Sequence, residues 1–178
     1  IGGILVTHPD IAGVVFTGST EVAQTINRAL AAKDGPIVPL IAETGGINAM
    51  IVDATALPEQ VADDVVTSAF RSAGQRCSAL RLLFVQDDVG DRVIKMLQGA
   101  MAELRVGDPE DYATDIGPVI DDEAKATLEA HKARMKLEGK IISDLPLGAN
   151  CSHGTFVSPA AYELASISGL QREVFGPV

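Results

Sequence analysis

The chain has 178 residues, with 14 Lys and Arg against 24 Asp and Glu, for a formal net charge of −10. Apolar residues make up 47% and charged residues 21%, a globular balance that excludes wholesale disorder. The acidic balance argues against a nucleic-acid surface, which carries a basic patch, and no apolar run reaches the roughly 18 residues of a spanning helix.

The length suits one domain of about 100–200 residues, large enough to bury roughly 70% of its unfolded surface. The opening Ile1-Gly2-Gly3-Ile4-Leu5-Val6 has no basic n-region, no small-residue cleavage site and no initiator Met, so the expectation is a fragment or a processed chain. Val14-Val15-Phe16 is a short strand candidate. Thr17-Gly18-Ser19-Thr20 then caps a helix whose first turn holds Glu21, where a carboxylate favours the helix dipole. Val22, Ile26, Ala29 and Leu30 follow at helical spacing, and Lys33 with Gly35 closes the segment. Ile37 to Ala42 reads as an edge or bent strand because of Pro39. After the Glu43-Thr44-Gly45-Gly46 turn, Ile47 to Val52 is another strand.

Pro58 fits the first position of a helix that buries Val61, Val65, Val66, Ala69 and Phe70 and is expected to end near Gly74. Leu80 to Val85 is an apolar run of the kind found in a sheet covered on both faces. A helix from about Val89 to Leu104 places Val93, Leu97, Met101 and Leu104 on one side, and Gly107-Asp108-Pro109 stops it. Asp121 caps a charged helix running to about Gly139, and strands are expected at Ile141-Ile142 and Thr155 to Val157. This alternation predicts an α/β fold: a parallel-rich open sheet with helices on both faces.

Three features carry chemistry. Cys77 lies between a helix and a buried strand, where loops display reactive groups, and Arg71 and Arg76 could favour its thiolate. On composition alone the residue reads more readily as a buried structural thiol, as free cysteines usually are. Glu43, in a Gly-rich turn between two apolar runs, is either free to reach a cleft or a solvated turn carboxylate. Phe16-Thr17-Gly18-Ser19 opens a helix whose N-terminus would attract phosphate, or is an ordinary cap. Neither GxGxxG nor GxxxxGK[ST] is present, and His8, His131, His153, Cys77 and Cys151 form no metal-ligand spacing, so no metal site is expected. Asn150-Cys151-Ser152 matches the glycosylation pattern by chance.

Together these segments resemble the aldehyde dehydrogenase superfamily. Phe16-Thr17-Gly18-Ser19 looks like its cofactor-contacting turn, and Glu43-Thr44-Gly45-Gly46 like its ELGG motif, with Thr44 in place of Leu. Gly74-Gln75-Arg76-Cys77 resembles its GQxC nucleophile motif, 34 residues beyond Glu43. Gly107-Asp108-Pro109, Gly117-Pro118-Val119-Ile120 and Glu173-Val174-Phe175-Gly176-Pro177 resemble further signatures in the family order. The finer likeness is to the Δ1-pyrroline-5-carboxylate dehydrogenase branch, within it the module of bacterial proline-utilisation A proteins. Thr44 and Ile47 are typical of that module.

The resemblance implies NAD-dependent oxidation of glutamate γ-semialdehyde to glutamate in proline catabolism. Cys77 would be the nucleophile and Glu43 the general base. Gly18 and Ser19 would lie on the pyrophosphate and adenosine side of NAD, Glu173 would hold the nicotinamide ribose, and Phe175 would pack beside the nicotinamide. Ser78 would meet the substrate α-carboxylate. Residues 1–46 would be the tail of the NAD-binding domain and residues 47–178 an incomplete catalytic domain. The family's first Rossmann strands, its oxyanion-hole Asn and its substrate-carboxylate loop find no match here, so the isolated chain is expected to be inactive. The parent is expected to be a cytoplasmic homo-oligomer fused to a flavin proline dehydrogenase, acting on a small aldehyde and with no nucleic-acid partner. Two other readings stay open: an aldehyde dehydrogenase for another semialdehyde or an aliphatic aldehyde, and a non-catalytic folded fragment or assembly module.

Overall fold

The structure, a computed structural model, describes residues 1–178. The chain divides into two compact units, Ile1–Gly46 and Ile47–Val178. The first begins with the short helix α1 (Gly2–Thr7), which the sequence reading leaves unassigned. Strand β1 (Val14–Thr17), helix α2 (Thr20–Ala31) and strand β2 (Leu40–Glu43) then form a βαβ unit, its strands paired in parallel with Val14 opposite Leu40 and Thr17 opposite Glu43. The Ser19 hydroxyl accepts from the Val22 N–H at 3.3 Å, so the expected N-cap is made. Ala23 and Leu30 are buried, whereas Val22 faces solvent. Pro39, which has no N–H, lies outside the ladder, and its carbonyl accepts from Val14 at 3.0 Å.

The second unit repeats the βαβ pattern. Strands β3 (Ala49–Val52) and β4 (Leu82–Val85) pair in parallel around helix α3 (Pro58–Phe70). Helix α4 (Asp87–Ala102) packs on α3. Val61, Val65, Ala69 and Phe70 of α3 join Val93, Leu97 and Met101 of α4 in the main core. Each Val, Leu, Phe and Met side chain among them contributes about 1.5–3 kcal/mol when fully buried. Met50, Val52, Leu83 and Val85 join the same core. Ile51 and Phe84, one step along each strand, are exposed on the opposite face.

Helix α3 stops earlier than its apolar spacing suggests. A 3-10 turn, Arg71–Gly74, follows Phe70, and Ser72, Ala73 and Gly74 take positive φ angles of 56°, 53° and 62°. Helix α5 (Asp122–Glu138) starts as expected, with the Asp121 carboxylate accepting from the Ala124 N–H at 2.8 Å. Strands β5 (Lys140–Asp144) and β6 (Ala160–Glu163) are antiparallel, with a bulge between Ile141 and Ser143. The strand expected at Thr155 to Val157 is irregular backbone. Its apolar residues Phe156 and Val157 are buried as side chains, but the pairing belongs to β6.

Beneath this hairpin lies a polar cluster. Lys132, buried on α5, donates to the carbonyl and hydroxyl of Ser158 and pairs with Asp144 at 2.9 Å, while Lys136 reaches Asp144 at 2.7 Å. Burial pushes the Asp144 carboxyl up, but the hydrogen bonds and charges of Lys136 and Lys132 hold it below its ordinary value of 3.8. The Tyr162 hydroxyl is buried with no hydrogen-bond partner, and burial pushes it up to about 12.

Two stability predictions follow from this cluster. Asp144 binds its proton less readily folded than unfolded, so its stabilisation is complete above the ordinary carboxyl value and is lost as the pH falls from there through the lower folded-state value. Asp144→Asn is expected to cost about 3 kcal/mol at neutral pH by stranding Lys132, and to flatten the fall in unfolding free energy below about pH 4. Urea titration across pH measures both. Tyr162→Phe removes an unpaired buried hydroxyl and is expected to leave stability equal or raised by about 1 kcal/mol; a clear drop in the melting temperature would contradict this.

Candidate active site

Each unit presents chemistry-bearing residues in its own loops. In the first, the parallel ladder ends at Thr17 and Glu43, and the Gly18 N–H donates to the Glu43 carbonyl at 3.1 Å. Gly18, Ser19 and Glu43 therefore gather at the carboxyl ends of two parallel strands, where α/β sheets place ligand sites. Glu43 is exposed, and the N-terminus of the 12-residue α2, capped by Ser19, follows directly on the Gly18 that meets the Glu43 carbonyl. A Cβ on Gly18 would run into the Phe16 ring, which keeps this turn bare.

In the second unit, Cys77 and Ser78 form the tip of a turn closed by the Ala79 N–H on the Arg76 carbonyl at 3.0 Å. Cys77 is exposed with a free thiol. Asn48 holds the turn from below: its Nδ2 donates to the carbonyls of Cys77 at 2.7 Å and Ala79 at 2.9 Å. The N–H of Leu80 donates to the Ser68 hydroxyl at 3.2 Å, tying the turn to α3. The Arg76 guanidinium is spent on the Thr67 carbonyl at 3.3 Å. Cys151, by contrast, is buried, its Sγ donating to the Val106 carbonyl at 3.4 Å.

The segment Glu173–Pro177 is brought to this turn across almost 100 residues of chain. Gln75 Nε2 donates to the Phe175 carbonyl at 3.2 Å, and Gln75 Oε1 accepts from the Ile120 N–H at 2.9 Å. Arg81 donates to Glu173 Oε1 from Nε at 3.3 Å and from Nη2 at 3.0 Å, and to the Gly176 carbonyl from Nη1 at 2.8 Å. Its guanidinium also lies 5.5 Å from the centroid of the Phe175 ring. The Pro177 carbonyl accepts from Ala160 at 3.1 Å, which fixes the far end on β6.

Gly74 makes the approach possible. A Cβ there would overlap the Gly176 carbonyl and lie 2.7 Å from the Ala69 carbonyl, and its φ of 62° already disfavours other residues. The candidate residues Cys77, Ser78, Glu173 and Phe175 thus share one loop cluster. Gln75, Asn48 and Arg81, which the sequence reading gives no role, build it. Arg81 did leave a signal: a permanent cation inside the apolar stretch Ala79–Val85 needs buried acceptors.

The profile of the aldehyde dehydrogenase family matches residues 1–178. The chain belongs to this family. The bifunctional protein PutA of Escherichia coli strain K12 is 51% identical over the whole chain, which spans 14% of that protein. The 1-pyrroline-5-carboxylate dehydrogenase of Geobacillus thermodenitrificans is 36% identical over the whole chain, which spans 35% of it. Among solved structures, Bradyrhizobium japonicum proline utilization A matches with a TM-score of 0.94 and 69% identity, over 99% of this chain and 18% of that one. A 1-pyrroline-5-carboxylate dehydrogenase from Thermus, solved with bound NAD, matches with a TM-score of 0.86 and 32% identity, over 99% of this chain and 35% of that one.

Glu173 offers a carboxylate acceptor and Phe175 an apolar ring, the kinds of group that a ribose hydroxyl and a nicotinamide would meet. Arg81 donates twice to Oε1 of Glu173 and makes no bond to Oε2, and Phe175 keeps an exposed ring. Gly74→Ala is expected to cost about 2 kcal/mol or more, through the left-handed backbone and the overlap with Gly176. Gly99→Ala on α4, where a Cβ meets open space, is expected to leave stability unchanged or raise it by about 0.5–1 kcal/mol. Thermal unfolding of the pair measures the difference.

Proposed function

We propose that the longer protein carrying this chain oxidises L-glutamate γ-semialdehyde, in equilibrium with Δ1-pyrroline-5-carboxylate, to L-glutamate, as the proline-catabolic step of a bacterial cytoplasmic enzyme. The observation that carries this reading is the loop cluster that joins an exposed thiol at Cys77 to the Glu173–Phe175 segment. The names of the relatives, PutA and 1-pyrroline-5-carboxylate dehydrogenase, support the substrate. In this reading residues 1–46 belong to the NAD-binding domain and residues 47–178 to the catalytic domain. The bifunctional relative supports a parent fused to a second enzyme, which in this reading is a flavin proline dehydrogenase, and homo-oligomeric assembly belongs to the same proposal.

Cys77 Sγ, as thiolate, attacks the aldehyde carbon. A C–S bond forms and the carbonyl oxygen takes the negative charge. The Cys77 N–H, which donates to no protein acceptor, is available to hold that oxyanion. NAD, when bound, supplies the acceptor for the substrate hydride. Gly18 and Ser19 would hold its pyrophosphate side, Glu173 its nicotinamide ribose, and Phe175 the nicotinamide face. The acyl group is then left on Cys77 as a thioester. Glu43 takes a proton from water as the water attacks the thioester carbon, and the C–S bond breaks to release the carboxylate. Ser78, beside Cys77 on the exposed turn, would donate to the substrate α-carboxylate.

The test is NADH formation from glutamate γ-semialdehyde by the full-length protein. Cys77→Ala is expected to reduce kcat by at least roughly 1,000-fold. Glu43→Gln is expected to slow turnover while leaving a burst of about one NADH per site, because the thioester forms and is not hydrolysed. Activity indifferent to Cys77 would overturn the mechanism. Equal activity on aldehydes without an α-carboxylate would overturn the substrate.

A further inference from the structure

We infer that Arg81 is the positioning residue for the cofactor-facing segment, and that it does so by geometry rather than by charge alone. The inference rests on the functional reading of Glu173 and Phe175 given above. Arg81 stands just before β4, and its side chain is 5% exposed. From there it addresses acceptors on two separate stretches of chain. On the Glu173–Gly176 stretch it binds the Glu173 carboxylate, the Gly176 carbonyl and the Phe175 ring face. On the nucleophile loop its Nη2 also reaches the Arg76 carbonyl at 3.4 Å, one residue before Cys77.

The division of donors matters. Nε and Nη2 converge on Oε1, so this oxygen of the carboxylate is anchored by two bonds and Arg81 makes none to Oε2. Nη1 fixes the backbone at Gly176, where the chain passes over Gly74. Gln75, two residues before Cys77, holds the Phe175 carbonyl independently. One planar cation thus sets the carboxylate, the ring and the backbone that follows them relative to the nucleophile turn. A lysine ammonium is a single point charge and cannot reproduce a fork that serves separated acceptors.

The experiment uses the full-length enzyme with Arg81→Lys, Arg81→Met, Glu173→Gln and the Arg81→Met/Glu173→Gln double variant. The NAD dissociation constant is measured by titration calorimetry. The rate of Cys77 alkylation by iodoacetamide and the KM for the aldehyde are measured beside it. Arg81→Met is expected to weaken NAD binding roughly tenfold to a hundredfold, the range set by losing hydrogen bonds to a charged group. Arg81→Lys is expected to recover less than half of that loss on a logarithmic scale. Alkylation of Cys77 and the aldehyde KM are expected to stay within about twofold. The double variant is expected to bind NAD no more than about twofold weaker than the weaker single, because both changes remove one device.

Rescue by lysine overturns the geometric role. NAD binding within twofold of wild type in Arg81→Met overturns the inference outright, as does additivity in the double variant. Should Arg81→Met fold poorly, the comparison of Arg81→Lys with Glu173→Gln decides: lysine binding NAD like wild type defeats the inference, and lysine as weak as the glutamine variant supports it. Wild-type enzyme that neither binds NAD nor reduces it defeats the functional reading, and the inference with it. That outcome is distinct from a normal wild type whose Arg81 variants are silent.

Discussion

A permanent cation sealed inside protein must find acceptors or cost several kcal/mol, and Arg81 finds them in the Glu173–Gly176 segment. Its pairing with Glu173 buries both partners, at 5% and 13% side-chain exposure. Such a pair contributes little net stability against an apolar substitute, but removing either partner strands the other charge at about 3–5 kcal/mol. Its value is therefore positional. Because Arg81 has fixed donor directions, the Glu173 carboxylate, the Gly176 carbonyl and the Phe175 ring can satisfy it together in only one arrangement.

The backbone beneath the Cys77 turn is shaped to meet that arrangement. Three successive residues, Ser72, Ala73 and Gly74, adopt left-handed angles. For Ser72 and Ala73 this costs of order 1–3 kcal/mol each, which the packing around them must offset. Ala73 and Gly74 are buried beneath the turn, and Ala73 belongs to the main core. The extended ψ of 149° at Arg71 ends α3 after Phe70, and the left-handed run that follows turns the chain so that Gly74 passes under Gly176 and Cys77 emerges in solvent. Gly176 is equally constrained from the other side, since a Cβ there would overlap Leu128 of α5. Two glycines and two flanking helices thus set the approach of two loops far apart in sequence.

The second polar cluster works differently. Lys132, Ser158, Asp144 and Lys136 tie α5 to β5 and to the residues just before β6. That hairpin holds the Pro177 carbonyl through Ala160, so the cluster supports the far end of the same segment that Arg81 grips at its near end. The unpaired Tyr162 hydroxyl nearby is a local defect in an otherwise satisfied network.

Much of this was legible in the residues. Helices α2, α3 and α4 follow from apolar spacing and α5 from its cap and charged run, and the caps at Ser19 and Asp121 follow from short side chains that accept from free N–H groups. Pro39 and Pro58 mark an excluded ladder position and a helix start for the same local reason: proline has no N–H. Where local signals were weak, the reading failed. Phe156 and Val157 read as a strand because they are apolar, but burial alone does not supply a pairing partner. Helix α1 carries no cap or buried face to announce it. The motifs around Glu43, Cys77 and Glu173 could be named from residue order, because a motif is a property of neighbours in the chain. What residue order could not contain was the joining of residue 81 to residues 173–176, or of residue 75 to residue 175. Those contacts depend on where the core carries the chain, and a hydrogen bond between distant residues forms only when packing elsewhere has already brought donor and acceptor within about 3 Å.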